Sequence, residues 1–366
     1  MSETLLIELC TEELPPKSLS TLSDALAQGV FAALQAQQLL TADSHCQAYA
    51  TPRRLALSIS GVAAQQADRL VERKGPAVAG ALDASGQPSK ALQGFMRAAG
   101  VTFDELALTS DGKGEYFVAR REQKGEPLAA LLADIVAQAL KKLPIAKVMR
   151  WGASEHQFVR PVHRLIMLHG ATVVAGEVLG LRSGRRTLGH RFLATDEIVI
   201  DHADQYAARL NDGKVIVSFA ERRTAIARQL DAAAGQLGAR IHAADGLLDE
   251  VTALVEWPAV YVGEFEAEFL QVPQECLILT MQQNQKYFPL LDAAGKLLNK
   301  FLIVSNMPLE RPENIIGGNE RVVRPRLADA RFFFDQDRKN GFAARVDRLD
   351  SVVYHHKLGT LGDRAK

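Results

Sequence analysis

Between residues 158 and 180 the chain carries four short apolar runs, Phe158-Val159, Leu165-Ile166-Met167-Leu168, Val173-Val174 and Val178-Leu179, punctuated by Gly170, Gly176 and Gly180. Runs this short, bounded by glycine, predict β-strands joined by turns. Leu5 to Leu9 is a further strand, stopped by the turn Glu12-Glu13-Leu14-Pro15-Pro16, and residues 53–60 alternate as another. Leu22, Leu26, Val30 and Leu34 recur at helical spacing within 18–40. Residues 75–88 read as a loop, and a helix runs from Glu126-Pro127 to Lys142, with Pro127 in its first turn and Pro144 ending it. Strands are expected over 214–218, 259–265 and 298–304, a hairpin turn at 292–296, a helix over 221–237, and a helix over 319–337 interrupted by Pro325. No segment repeats, and strands do not alternate strictly with helices. The expected fold is therefore α+β, with mixed, largely antiparallel sheets and flanking helices rather than a doubly wound sheet.

At 366 residues the chain is long enough for two or three subdomains, expected at 1–145, 146–340 and 341–366. A composition of 47% apolar and 23% charged residues fits a packed globular protein and excludes disorder. No window approaches 18 consecutive apolar residues, so no spanning helix or membrane partner is expected. The first residues have no basic region of a secretory signal. Cys10, Cys46 and Cys276 form no CxxC pair, as expected of buried thiols in a reducing cytoplasm.

Lys plus Arg and Asp plus Glu both number 43, yet the balance is local. Residues 1–50 carry a net −5, 51–138 a net +1, 139–195 a net +8, 196–283 a net −9 and 284–366 a net +5. The basic block either forms a polyanion-binding face or neutralises the acidic segment after it.

Motifs for small-molecule catalysis are missing. None of the Gly-Lys pairs is followed by Ser or Thr as a phosphate loop requires, and no GxGxxG, GxSxG, HExxH or paired CxxC occurs. His156, His163 and His169 read as satisfied or phosphate-facing rather than as metal ligands, and Glu12-Glu13 as a solvated turn. His355-His356 with Asp363 suggests a metal phosphohydrolase helix only remotely, since the chain lacks the His-Asp dipeptide that would share a metal. Neither a metal site nor a catalytic residue is expected.

What remains is cationic. Arg150-Trp151-Gly152 would hold a phosphate and stack on a base or ribose, or else form a domain interface. Arg160 and Arg164 fall on one strand face with Val162, making a cationic groove available. Residues 184–192 place Arg185, Arg186, His190 and Arg191 with two glycines in an expected loop, where backbone amides could approach an RNA phosphate. Residues 282–288 set four amides before Lys286, Tyr287 and Phe288, suited to unpaired bases or to a buried polar network. Arg321 and Arg324 cluster further on, with Asp329, Arg331 and Asp335 at helix-surface ion-pair spacing.

The blocks MSETLLIELCTEELPPKSL, TPRRLAL, RKGP, KVMRWGASEHQFVRPVHRLIML, GHRF, LVEWP, LTMQQNQKYFPLLD, GKLLNKFLIVSN and GGNERVVRPRLADARFFFDQD closely resemble the bacterial glycyl-tRNA synthetase β-subunit family in order and spacing. One departure is Cys10, where the family usually has Gly. The resemblance implies a subunit of a glycine–tRNA ligase that joins ATP, glycine and tRNA(Gly) through an adenylate. It implies a heterotetramer of two α and two β subunits, with ATP and Mg2+ at the catalytic α subunit and no cofactor in this chain. The β subunit's implied part is to bind and position tRNA. The family continues into an HD-like helical domain and an anticodon-binding domain, so this chain is expected to be an amino-terminal fragment ending at the entrance to the HD-like part. The residues assigned to RNA on this reading are Arg150, Trp151, Arg160, Arg164, Arg185, Arg186, His190, Arg191, Lys286, Arg321 and Arg324. Arg and Lys would pair with phosphates and Trp151 would stack. The competing readings are an α-subunit docking scaffold and, remotely, a metal phosphohydrolase at His355 and His356.

Overall fold

The computed structural model describes residues 2–82, 86–110, 114–339 and 341–366. Its first sheet is organised around β1 (Ser2–Thr11), followed by helix α1 (Leu19–Ala36) and strands β2 (Cys46–Thr51) and β3 (Arg54–Ala63). Between residues 64 and 127 the chain leaves this sheet to build a lobe. Strands β4 (Arg69–Ala77), β5 (Leu106–Ser110) and β6 (Glu115–Gln123) form a three-stranded sheet with β6 in the centre, and helix α2 (Lys90–Ala99) packs against it. The lobe closes where Gln65 bridges Pro127. Only glycine fits position 125 at this return, because a Cβ there would lie 2.0 Å from the Gln66 carbonyl oxygen.

Helix α3 (Leu128–Lys141), β7 (Val162–His169) and β8 (Leu181–Gly184) then complete the first sheet. Its order is Glu177–Val178, β8, β7, β1, β3, β2, with β8 parallel to β7 and the other pairings antiparallel. The expected boundary at 145/146 thus falls inside a sheet that takes strands from both sides of it. Both faces of β1 are covered, which is why its apolar run is continuous rather than alternating. Leu5, Ile7 and Leu9 face α1 and α3, while Leu6 packs with Ile166, Leu168, Ile200, Tyr206 and Leu210 on the other side. By the same alternation Glu8 falls on the second face, fully buried.

After the short antiparallel pair β9 (Arg186–Leu188) and β10 (Glu197–Val199), helix α4 (Phe219–Gln236) leads into a second antiparallel sheet. Here β11 (Ala259–Glu264), helix α5 (Gln274–Gln285), β12 (Phe288–Leu291), β13 (Leu297–Ser305) and helix α6 (Glu313–Lys339) follow in turn. Along β13, Leu302 faces α4 while Phe301 and Ile303 face α5 and α6, so this sheet is also covered on both sides. The turn between β12 and β13 lies at 292–296, with Gly295 at φ +79°.

Several local expectations change. Residues 214–218 are not a strand: single hydrogen bonds to Leu210, Glu256 and Ala50 hold them extended without a ladder. Helix α6 runs through Pro325 uninterrupted, because Val323 and Leu327 are both fully buried beside it and the proline ring sits on the exposed side. Pro127 caps α3 rather than entering its first turn. Of the expected loop at 75–88, residues 75–77 finish β4 and Val78–Ala81 form one helical turn, while 83–85 lie outside the described residues. The expected loop at 184–192 is strand over most of its first half, in β8 and β9. Residues 342–366 form a 3-10 stretch Phe342–Ser351, a small hairpin and a short helix Leu361–Ala365.

The cysteines differ in environment. Burial pushes the Cys10 and Cys46 thiols up to about 11, whereas Cys276 is exposed on α5. A thiol at that value holds roughly one ten-thousandth of its population as thiolate at neutral pH. Alkylation of the folded protein is therefore expected to mark Cys276 alone, with Cys10 and Cys46 reacting only after denaturation; peptide mass mapping reads the difference. Equal labelling of all three in the native state would contradict it.

Candidate nucleic-acid interface

The parallel register of β8 on β7, Ser183 opposite Leu165 and Gly184 opposite Ile166, sets residues 182–186 alongside 163–165. Between them opens a groove of about 420 Å³. Arg164, Arg182, Arg185 and Arg186 converge on it together with His163, over an apolar floor of Leu165, Val173 and Leu181. No carboxylate belongs to the lining itself.

Two pairings hold these cations. Glu197, on β10, reaches over with one oxygen 2.6 Å from Arg164 and the other 3.0 Å from Arg186. Hydrogen bonds from Arg164 and then Arg186 keep its carboxyl below the usual carboxylate range. Arg185 donates to the Ala171 carbonyl at 2.9 Å. Arg182 is exposed and has no ion-pair partner among the described residues. At the edge of the groove Glu12 and Glu13, expected as a solvated turn, form a second cluster. Nε2 of His163 lies 2.8 Å from Glu12, and Arg191 reaches Glu12 at 3.3 Å and Glu13 at 3.2 Å. The Glu12 carboxyl is lowered chiefly by its hydrogen bond with His163.

Of the eleven residues assigned to RNA, the fold brings Arg164, Arg185 and Arg186 together, sets Arg191 at the edge of the same groove and disperses the rest. Arg160 precedes β7, and its guanidinium is tied to the Glu13 and Val159 carbonyls. Arg150 pairs with Glu155 on an exposed hairpin, while Trp151 packs against the main core. His190 is fully buried. Its Nε2 meets the Asn306 carbonyl at 2.8 Å and its Nδ1 accepts from Phe192 and Leu193, so it offers a phosphate no surface. These partners set Nε2 as the donor and Nδ1 as the acceptor. Lys286 occupies the left-handed cap of α5 and pairs with Glu250. Gln282 donates to the His242 carbonyl and Tyr287 to Asn319, which realises part of the buried polar network. On α6, Arg324 pairs with Glu266 and Arg321 is exposed without an ion pair among the described residues. His355 and His356 stack on each other, and no group of three or more His, Cys, Asp or Glu side chains able to hold a metal occurs among the described residues.

Sequence reasoning misses Arg182, and it misses a buried polar junction entirely. Arg54, fully buried, lies 3.5 Å from Glu8 and 3.5 Å from Glu256, and donates to the Leu188 carbonyl at 2.9 Å. The two carboxylates keep its guanidinium firmly protonated. Tyr206 donates to Glu8, Thr51 donates to Glu256 at 2.7 Å, and the Asn306 side chain accepts from the Glu256 and Trp257 amides. Beside it Arg222 donates to the Ala50, Ile216 and Thr252 carbonyls. The blocks TPRRLAL, GHRF, LVEWP and IVSN therefore meet inside the protein, at the joint between the two sheets. The alternation Leu6, Glu8, Cys10 in a buried strand was the available signal for Glu8.

These features define an α+β protein whose most basic segment lines an open groove and whose most distinctive motifs lock its sheets together. A family model described as glycyl-tRNA synthetase beta subunit matches residues 5–366. The glycine–tRNA ligase beta subunit of Neisseria meningitidis serogroup B is 54% identical over 365 residues, covering 100% of this chain and 53% of the relative. The same-named proteins of Aromatoleum aromaticum and Psychromonas ingrahamii are 54% and 50% identical, covering 99% and 100% of this chain and 53% of each relative. The chain belongs to the glycyl-tRNA synthetase β-subunit family, and it spans about half the length of the curated relatives it matches.

Proposed function

We propose that this chain is the tRNA-facing part of a cytoplasmic glycine–tRNA ligase β subunit, working in a complex of two α and two β subunits. Glycine activation with ATP and Mg2+ would take place on the α subunit, and this chain would hold the tRNA backbone for the transfer. The observation that carries the reading is the convergence of Arg164, Arg182, Arg185 and Arg186 on one groove within the +8 block. Guanidinium forks pair with phosphate oxygens in two-point contacts, and neutralising phosphates releases condensed counterions. His190 supports this from within, by fixing the backbone after β9, rather than by touching RNA.

The test is the affinity of the chain for a glycine tRNA transcript as a function of salt. Arg182→Ala and Arg185→Ala, which remove groove cations without a carboxylate partner among the described residues, are each expected to flatten the log–log slope by about 0.7–0.9. An Arg182→Ala/Arg185→Ala chain whose affinity and slope equal those of the parent would overturn the reading. The docking-scaffold alternative rests on a second, largely apolar groove of about 580 Å³ between α3 and the exposed hairpin that carries Val148 and Met149. Undetectable tRNA binding at low salt with intact α-subunit association would favour it.

A further inference from the structure

Glu197 makes an unusual pair of contacts. Its two carboxylate oxygens each take a different arginine, Arg164 from β7 and Arg186 from β9, and it has no other partner among the described residues. The register explains the reach, since Glu197 pairs with Leu188 across the β9–β10 ladder and so stands two residues along from Arg186. The side chains of Arg186 and Glu197 are 62% and 40% exposed, so the bridge is open to solvent and to exchange. Two adjacent guanidiniums sharing the two oxygens of one anion is also the arrangement in which arginines take the non-bridging oxygens of a phosphate.

We propose that Glu197 is a built-in competitor for the groove: its carboxylate occupies the position of an RNA phosphate between Arg164 and Arg186 until a polyanion displaces it. This rests on the RNA reading above. The bridge keeps both arginines ordered in the empty groove. It also offsets one of their two charges, leaving Arg182 and Arg185 as the groove cations with no anionic partner among the described residues, which an incoming strand meets first. An isolated anion gains only what the carboxylate loses, so exchange at the pair is nearly neutral. A strand that already engages Arg182 and Arg185 delivers its next phosphate at high effective concentration and wins the exchange. Glu197 thereby sets a threshold against short or poorly fitting anions, and acts as a specificity-determining residue rather than a contact of the bound RNA.

The experiment compares Glu197→Gln with the parent chain, using a glycine tRNA transcript, a short polyuridylate and inorganic phosphate as probes. In the parent, a phosphate that enters between Arg164 and Arg186 only replaces the Glu197 carboxylate. In the variant that one carboxylate charge is gone, so one more phosphate is neutralised: the log–log salt slope should steepen by about 0.7–0.9 and polyuridylate affinity should rise about three- to tenfold at moderate salt. Inorganic phosphate should protect groove arginines from chemical modification better in the variant than in the parent. Glu197→Asp, too short to bridge both arginines, should fall between. If Glu197→Gln leaves affinity unchanged or lower while Arg182→Ala/Arg185→Ala still weakens binding, Glu197 is merely a tie for β10 and the proposal fails while the RNA reading stands. If neither variant moves binding, both fail. A thermal midpoint shared by parent and variants assigns any change to the groove rather than to folding.

Discussion

Arg54→Met is expected to destabilise the protein by about 3–5 kcal/mol, far more than the loss of any groove arginine, although Arg54 touches no surface. The side chain is fully buried between two equally buried carboxylates, so its removal leaves Glu8 and Glu256 without their counter-charge. The same substitution frees the Leu188 carbonyl at the start of the turn held by His190. The junction is not ideally bonded: the second oxygen of Glu8 and the Nε of Arg54 are buried without a hydrogen-bond partner. Its net contribution is therefore modest, while breaking it halfway is costly, because stranded charge and not lost attraction dominates. Non-additivity follows. Arg54→Met/Glu8→Gln should be less destabilised than the two single losses summed, since the second change neutralises a charge that the first stranded. Urea unfolding followed by tryptophan fluorescence suits the measurement, as Trp257 adjoins Glu256 and the chain's other tryptophan, Trp151, lies on the main core. Strict additivity, or a single-mutant loss below about 1 kcal/mol as for an exposed pair, would contradict the stranded-charge explanation.

What the sequence reveals about this fold follows the range of the forces involved. β1, α1, α3 and the β12–β13 hairpin are legible because periodicity, proline and Gly295 act within a few residues. Pro325 misleads for the converse reason. A local breaking signal is outweighed by two buried neighbours, Val323 and Leu327, whose packing against the second sheet no local pattern displays. The groove is legible only as a density of arginine. Which cations share it depends on β8 lying parallel to β7, a long-range pairing that selects Arg164, Arg182, Arg185 and Arg186 and leaves Arg150, Lys286, Arg321 and Arg324 elsewhere. Motif chemistry misleads most at His190. A histidine between Gly and Arg suggests a phosphate contact, yet its ring nitrogens serve Asn306, Phe192 and Leu193. Polar residues in a motif bind a ligand or bind the protein, and only burial separates the two.

Arg222 extends that separation to a second large effect. It is buried in α4 with no carboxylate at ion-pair distance among the described residues, and burial, opposed in part by the charge of Glu256, pulls its pKa down to about 10, so it remains charged at neutral pH at a desolvation cost. Three carbonyls offset that cost: Ala50 at the end of β2, Ile216 in the extended 214–218 segment and Thr252 after α4. A planar fork with donors on three nitrogens meets all three, and a lysine ammonium in its place could not. Arg222→Leu keeps the apolar stem but strands buried carbonyls, and is expected to cost about 2–4 kcal/mol. Arg222→Lys should recover little of it. The surface arginines make the opposite pattern. Arg182→Ala and Arg185→Ala should leave the unfolding free energy from urea titration within about 0.5 kcal/mol of the parent while flattening the salt dependence of tRNA binding. Under conditions where the Arg54 and Arg222 variants remain folded, their salt slope should equal the parent's. A groove variant that unfolds the protein, or a folded Arg222 variant with a flattened slope, would show that the two sets of arginines are not separate.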